Sequence, residues 1–247
     1  MNDQTDSNIL LLKRFFLHCA AKLHEDTLRK AQTEGWSHED FLGHLLQSEA
    51  QDRLQRRIAY LLKKSELIEG KSFESLQQEC LSLKIQRQIP SLIKADFVRR
   101  AENVLAFGLP GRGKTHFLCA LGRELILQHQ YPVLFQPTYK LLCRLLRAHK
   151  EDRLDQELKK LDAFEVIIMD DIGYVQQSQG EMEVLFHLLA HRYERKSVMI
   201  SSNLPFKDWD KIFKDTMTTM AAIDRLVHRA TILHFDGAKS HRIAPPQ

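Results

Sequence analysis

A chain of 247 residues, 43% hydrophobic and 28% charged, is long enough to bury one large core, or one ordinary core and a smaller one. Those proportions exclude a disordered chain and a heptad rod. The formal net charge of +4 permits nucleic-acid binding without demanding it, so the placement of the basic residues has to decide.

The opening stretch MNDQTDSNILLLKRFF starts acidic and follows a short apolar run at once with Lys13 and Arg14, unlike a secretory signal. No apolar run approaches the roughly 18 residues that a membrane helix needs. A cytoplasmic protein with no membrane partner is expected. Cys19, Cys80, Cys119 and Cys143 stand far apart without a C-x-x-C pair, so the sequence suggests reduced thiols rather than a disulfide framework or a thiolate zinc site.

Up to about residue 95 the pattern is helical. Ser37, followed three residues later by Asp40, predicts a capped helix whose apolar side is Phe41, Leu42, Leu45 and Leu46. Further along, Ile58, Leu61 and Leu62 keep helical spacing while Arg53, Arg56, Arg57, Lys63 and Lys64 crowd the remaining surface. Such a surface is either a solvated face or a row of phosphate contacts to DNA. The expected boundary falls between Pro90 and Glu102, giving a small all-helical domain over residues 1–92 and a second domain over 93–247.

From Glu102 onward, short β-rich runs alternate with longer amphipathic ones, the mark of an α/β fold with a parallel sheet covered by helices. Five strands are predicted: NVLAFG (103–108), PVLFQP (132–137), FEVIIMDD (164–171), SVMISSN (197–203) and ATILHF (230–235). The third is apolar almost to its end, as a central strand buried on both faces should be.

Between the first strand and the helical segment FLCALGREL stands GLPGRGKTH. Its Gly108, Gly113, Lys114 and Thr115 satisfy G-x-x-x-x-G-K-[ST] in a strand-to-helix context. A turn around phosphates needs backbone N–H groups pointing inward, and the following helix aims its N-terminal amides at the anion. Gly108, Leu109, Pro110, Gly111, Arg112, Gly113, Lys114, Thr115 and His116 are therefore the expected cradle for the phosphates of a nucleotide, which the resemblance given below implies to be ATP. Lys114 would reach the β/γ-phosphates and Thr115 would ligate Mg²⁺.

Asp170, at the end of the buried third strand, suits the Walker B carboxylate that holds Mg²⁺, and Asp171 suits the base that orients water. Asn203, at the end of the fourth strand, would bring an amide beside the γ-phosphate; alone it is equally ordinary turn chemistry. Together the set favours hydrolysis over transfer to a small molecule. Arg225 in AAIDRLVHRA is either a solvated salt-bridge residue or an arginine finger reaching a neighbouring subunit's nucleotide, which requires an oligomer. His187 and His191 have the spacing of a zinc pair without the Glu of H-E-x-x-H, and Ser201 and Ser202 lack a G-x-S-x-G context, so neither zinc nor serine-hydrolase chemistry is expected.

With ENVLAFGLPGRGKTH, FEVIIMDDIGY, EMEVLFHLLAHRYERKSVMISSNLPFKDW and AAIDRLVHRATIL in order, the chain resembles the IstB-like family of AAA+ ATPases. These are transposition helpers of bacterial insertion sequences, related to DnaC helicase loaders. The resemblance implies an AAA+ core with strand order 5-1-4-3-2, Asn203 as sensor 1 and Arg225 as the finger. It also implies ATP-dependent self-assembly on duplex DNA and collaboration with a DDE transposase of the same element. A helicase loader and a nucleotide-gated DNA scaffold with negligible turnover are the alternatives. Asp171 stands where many AAA+ proteins carry glutamate, so slow hydrolysis is expected, and Arg229 and Arg242 are both candidates for sensor 2.

Overall fold

The computed structural model describes residues 3–77, 81–173, 178–205, 209 and 224–235. The chain divides into two compact units, Met1–Tyr60 and Leu61–Gln247. No helix among the described residues is long and apolar enough to cross a membrane.

The first unit holds α1 (Asp3–Arg14), α2 (His18–Glu34) and most of α3 (His38–Lys64). Gly35, at φ 66°, ends α2 in the left-handed conformation that glycine adopts without a Cβ penalty. The predicted cap of α3 is formed: Asp40 N donates to Ser37 Oγ at 3.1 Å while Ser37 N donates back to the Asp40 carboxylate at 3.2 Å. The apolar side of α3 is narrower than expected, because Leu45 is buried whereas Leu42 and Leu46 are 56% and 49% exposed. One helical turn beyond Leu45 the buried residue is Glu49, whose carboxylate accepts Cys19 N at 2.7 Å and Ala20 N at 3.1 Å and so caps the start of α2.

The second unit begins some thirty residues earlier than the boundary expected near residue 93. Residues 61–92 share the helical pattern of the residues before them, but their apolar groups pack into the sheet-bearing unit. Phe73 meets Phe117 edge-on at 5.5 Å, and Ile85, Ile89 and Leu92 of α4 (Leu83–Ile93) are buried. Phe135 N, on the second strand, donates to Ser65 O at 2.7 Å. Helical periodicity reports that a face is apolar, not which body covers it.

After α5 (Asp96–Arg99), the elements alternate: β1 (Asn103–Phe107), α6 (Lys114–His129), β2 (Val133–Pro137), α7 (Thr138–Lys150), α8 (Leu154–Leu161), β3 (Val166–Ile172), α9 (Gln179–Arg192), β4 (Ser197–Ser202) and β5 (Ala230–His234). All five predicted strands form within two residues of their expected ends. The sheet is parallel with order β2-β3-β4-β1-β5, the order that the resemblance implies. Val166, Ile167, Ile168 and Met169 are fully buried, as a strand covered on both faces requires. Because the strands are parallel, β1, β3 and β4 all end at one edge, where Phe107 pairs with Ser202 and Ser202 with Ile172. That edge carries the chemistry.

Candidate nucleotide site

The loop between β1 and α6 is shaped by two glycines with different tasks. At Gly108 an added Cβ would lie 2.8 Å from Phe235 O and 2.9 Å from Phe235 Cβ, so glycine is required by the chain packed behind the loop. Gly113, at φ 87°, turns the chain into α6, whose first residue is Lys114.

Lys114 is buried, and its ammonium donates to Gly108 O at 2.6 Å, Leu109 O at 3.0 Å and Asn203 Oδ1 at 2.6 Å. Asn203 Nδ2 in turn donates to Asp171 Oδ1 at 2.6 Å. One asparagine thus links the loop lysine to the second carboxylate of β3. Alongside, Thr115 Oγ1 donates to Asp170 Oδ1 at 2.8 Å. The five residues singled out from three separate sequence segments meet in one cluster. A threonine hydroxyl and a carboxylate within hydrogen-bond distance are hard oxygen donors of the kind Mg²⁺ selects, so the residues present fit that ion.

Beside the loop lies a cavity of about 300 Å³ lined by Gly111, Arg112, Gly113, Lys114, Thr115 and His116 together with Lys71, Ser75 and Gln77. The last three come from the segment that the sequence pattern assigns to the helical domain. His116 Nε2 lies 3.1 Å from Ser75 Oγ and 3.0 Å from Ser72 O, which fastens this segment to the start of α6. Leu109 is 62% exposed at the loop's crest. In the second turn of α6, burial pushes the Cys119 thiol up to about 11, so it remains a neutral packing group.

Ser201 is the site residue that sequence reasoning misses. Its hydroxyl donates to Asp170 Oδ1 at 2.6 Å and accepts Asp171 N at 2.7 Å. The available signal is a polar residue directly after the apolar run Val198–Ile200 and within the strand, because a buried hydroxyl needs partners. Ser202 closes the turn after β4, donating to Ile172 O and Leu204 O at 3.0 Å each.

Arg225 is not brought to this cluster. It belongs to a helical turn at residues 224–227 tied to the start of β1, where Asn103 Nδ2 donates to Leu226 O at 3.1 Å. The phosphate loop follows the other end of β1, a strand length of roughly 13–17 Å away. The Arg225 guanidinium stacks on Phe186 at 4.6 Å, and its Nη1 is buried without a hydrogen-bond partner among the described residues. Arg229 occupies the same edge, its backbone O accepting Asn103 N at 2.8 Å and its side chain 3.9 Å from Glu194. Arg242 lies outside the described residues.

Of the basic residues on α3, Arg53 donates to Glu49 Oε1 and Phe16 O at 2.8 Å each, and Arg56 pairs with Asp52 and, at 3.7 Å, with Glu49. Arg57 and Lys63 form no ion pair among the described residues, and the Lys64 ammonium lies 5.7 Å from the Phe164 ring. His191 Nε2 is 2.9 Å from Asp162 Oδ2. No group of three His, Cys, Asp or Glu side chains suited to a metal ion occurs among the described residues.

With this geometry, the comparisons with known proteins are specific. Residues 10–244 match the family model described as IstB-like ATP binding protein. An insertion sequence ATP-binding protein of Sinorhizobium fredii is 38% identical over 84% of this chain and 70% of its own length. The ATP-binding protein of insertion sequence IS21 from Pseudomonas aeruginosa is 35% identical over 95% of this chain and 88% of its own length. The crystal structure of the DnaC helicase loader superposes with a TM-score of 0.52 at 20% identity, over 62% of this chain and 90% of that one, and shares the AAA+ fold. The chain belongs to the IstB-like family of insertion-sequence ATP-binding proteins, with an AAA+ core that carries the phosphate loop, the paired aspartates and the strand-end asparagine in one cluster.

Proposed function

We propose that the chain hydrolyses ATP, assembles with copies of itself on duplex DNA, and assists the DDE transposase of its insertion sequence in selecting a target, acting in the cytoplasm. The observation that carries the hydrolytic part is the hydrogen-bonded line Lys114–Asn203–Asp171 beside the Thr115–Asp170 pair. A phosphate cradle alone serves kinases and hydrolases alike; a carboxylate tied to an amide next to the loop lysine serves water.

In this mechanism the backbone N–H groups of the loop from Gly108 to His116, Pro110 excepted, and the Lys114 ammonium hold the triphosphate. Thr115 and, through water, Asp170 would hold Mg²⁺, which would supply positive charge to the phosphate oxygens. Asp171 accepts a proton from the attacking water as its oxygen bonds to the γ-phosphorus and the bond to the β–γ bridging oxygen breaks, releasing ADP. Asn203 keeps the Asp171 carboxylate turned to that water and marks whether the lysine is engaged by phosphate or by its own amide. Arg225, a strand length from its own loop, serves in trans, stabilising charge on a neighbour's γ-phosphate. DNA is held through phosphate contacts from the basic side of α3, for which Arg57 and Lys63 are the cations without an ion pair among the described residues.

Phosphate release measured with and without duplex DNA tests the reading. The parent chain is expected to turn over slowly and faster on DNA, and Asp171→Asn to bind ATP as the parent does while losing turnover by at least about 100-fold. Equal turnover in the variant removes Asp171 from the chemistry; no turnover in the parent under either condition leaves the nucleotide-gated scaffold. Recovery of a replicative helicase instead of the transposase in a pull-down would favour a helicase loader.

A further inference from the structure

Successive residues of a strand point to opposite faces, so Asp170 and Asp171 should not serve one site. The pairing of β3 with β4 explains how they do. Met169 is opposite Ile200, and Ile172 is opposite Ser202, so the two aspartates together face the single residue Ser201. This is a β-bulge. Asp171 takes up the extra length in the left-handed region, at φ 62°, a conformation that a non-glycine side chain holds only when its surroundings impose it.

We propose that Ser201 is the positioning residue that imposes it, keying the bulge so that one carboxylate is set for the metal and the next for water. Its hydroxyl sits inside the irregularity and does two things at once. It accepts Asp171 N at 2.7 Å, replacing the ladder hydrogen bond that the extra residue displaces, and it donates to Asp170 Oδ1 at 2.6 Å. Asp170 Oδ1 also receives Thr115 Oγ1 at 2.8 Å, so both hydroxyls converge on one carboxylate oxygen, and Oδ2 is the oxygen that would serve the ion. Thr138 at the start of α7 pins the same residue from the other side, its Oγ1 donating to Asp170 O at 2.9 Å. Ser201 is only 1% exposed, so solvent has no path to replace its hydroxyl. The inference rests on Asp170 being the carboxylate that serves Mg²⁺.

Calorimetry of ATP binding by the full chain, in a chelator and across a Mg²⁺ titration, separates positioning from packing. Ser201→Ala is expected to bind metal-free ATP within about two-fold of the parent while needing about ten-fold more Mg²⁺ to reach half-saturation. Ser201→Cys, which keeps the volume and weakens the hydrogen bonds, should show the same split, and it decides the matter if the alanine variant does not fold. A parent-like Mg²⁺ requirement in the folded variant overturns the proposal, as does an equal loss of ATP affinity with and without the ion, which would mark Ser201 as a packing residue. A parent chain that binds ATP with no Mg²⁺ dependence instead overturns the assignment of Asp170 on which the inference rests.

Discussion

Glu49 is a carboxylate taken out of water and kept charged. Burial pushes its pKa up, but the hydrogen bonds from Arg53 and from the amides of Ala20 and Cys19 outweigh that and hold it below the usual carboxylate range. A depressed pKa in the folded chain means that this stabilisation is fully present above the ordinary carboxylate pKa and is lost as pH falls through the folded value. Glu49→Gln is therefore expected to lower stability by about 1 kcal/mol at neutral pH, with the gap from the parent closing in acid, as read by urea unfolding across pH. A gap independent of pH would mean that packing, not charge, holds α2 there. Sequence alone does not flag this residue, since an acid on a charged helix reads as solvated. The same holds for Arg53, which the pattern places on a face either solvated or turned to DNA and the fold commits to Glu49 and Phe16 O.

The elements were legible to the extent that each carries its own signal. The phosphate loop announces itself through spacing, and the five strands through β-rich runs bounded by helical periods, so β1 to β5 and the start of α6 fall close to where the pattern puts them. The bulge at Asp170 and Asp171 was not legible, because it depends on how β3 registers against β4. Gly108 is a middle case: the motif predicts glycine, but the reason is Phe235, over a hundred residues later. Gly108→Ala should force the loop off Phe235, costing about 1–3 kcal/mol in thermal unfolding and weakening ATP binding. Unaltered unfolding and ATP affinity would show that the loop yields to a Cβ without cost and that neither Phe235 nor the ligand requires glycine there.

Across the whole molecule, the division into units is the feature that the sequence pattern misplaces, because residues 61–92 share the helical texture of α1 to α3 while packing with the sheet-bearing unit. The consequence is local to the candidate site: Lys71, Ser75 and Gln77 line the cavity beside the loop between β1 and α6 rather than belonging to the separate helical domain expected from the pattern. Charge reversal separates the two roles. Arg57→Glu is expected to weaken binding to duplex DNA and lower the salt slope by about 1–2 while leaving ATP affinity alone; unchanged DNA affinity would take this helix off the DNA surface. Electron microscopy with ATP and DNA tests the proposed role of Arg225 in trans: its side chain is expected at a neighbour's loop, and a position remote from every nucleotide would remove it from the site.

All of these roles presuppose that the bend between β1 and α6 takes up a nucleotide through its lysine. Calorimetry with ATP on folded parent and Lys114→Ala protein decides this. The parent should bind ATP, and the variant, lacking the ammonium that now bridges the loop carbonyls and Asn203, should bind at least about ten-fold more weakly, the worth of a charge-assisted hydrogen bond to phosphate. Equal affinity in the two proteins, or no uptake by the parent, would contradict it.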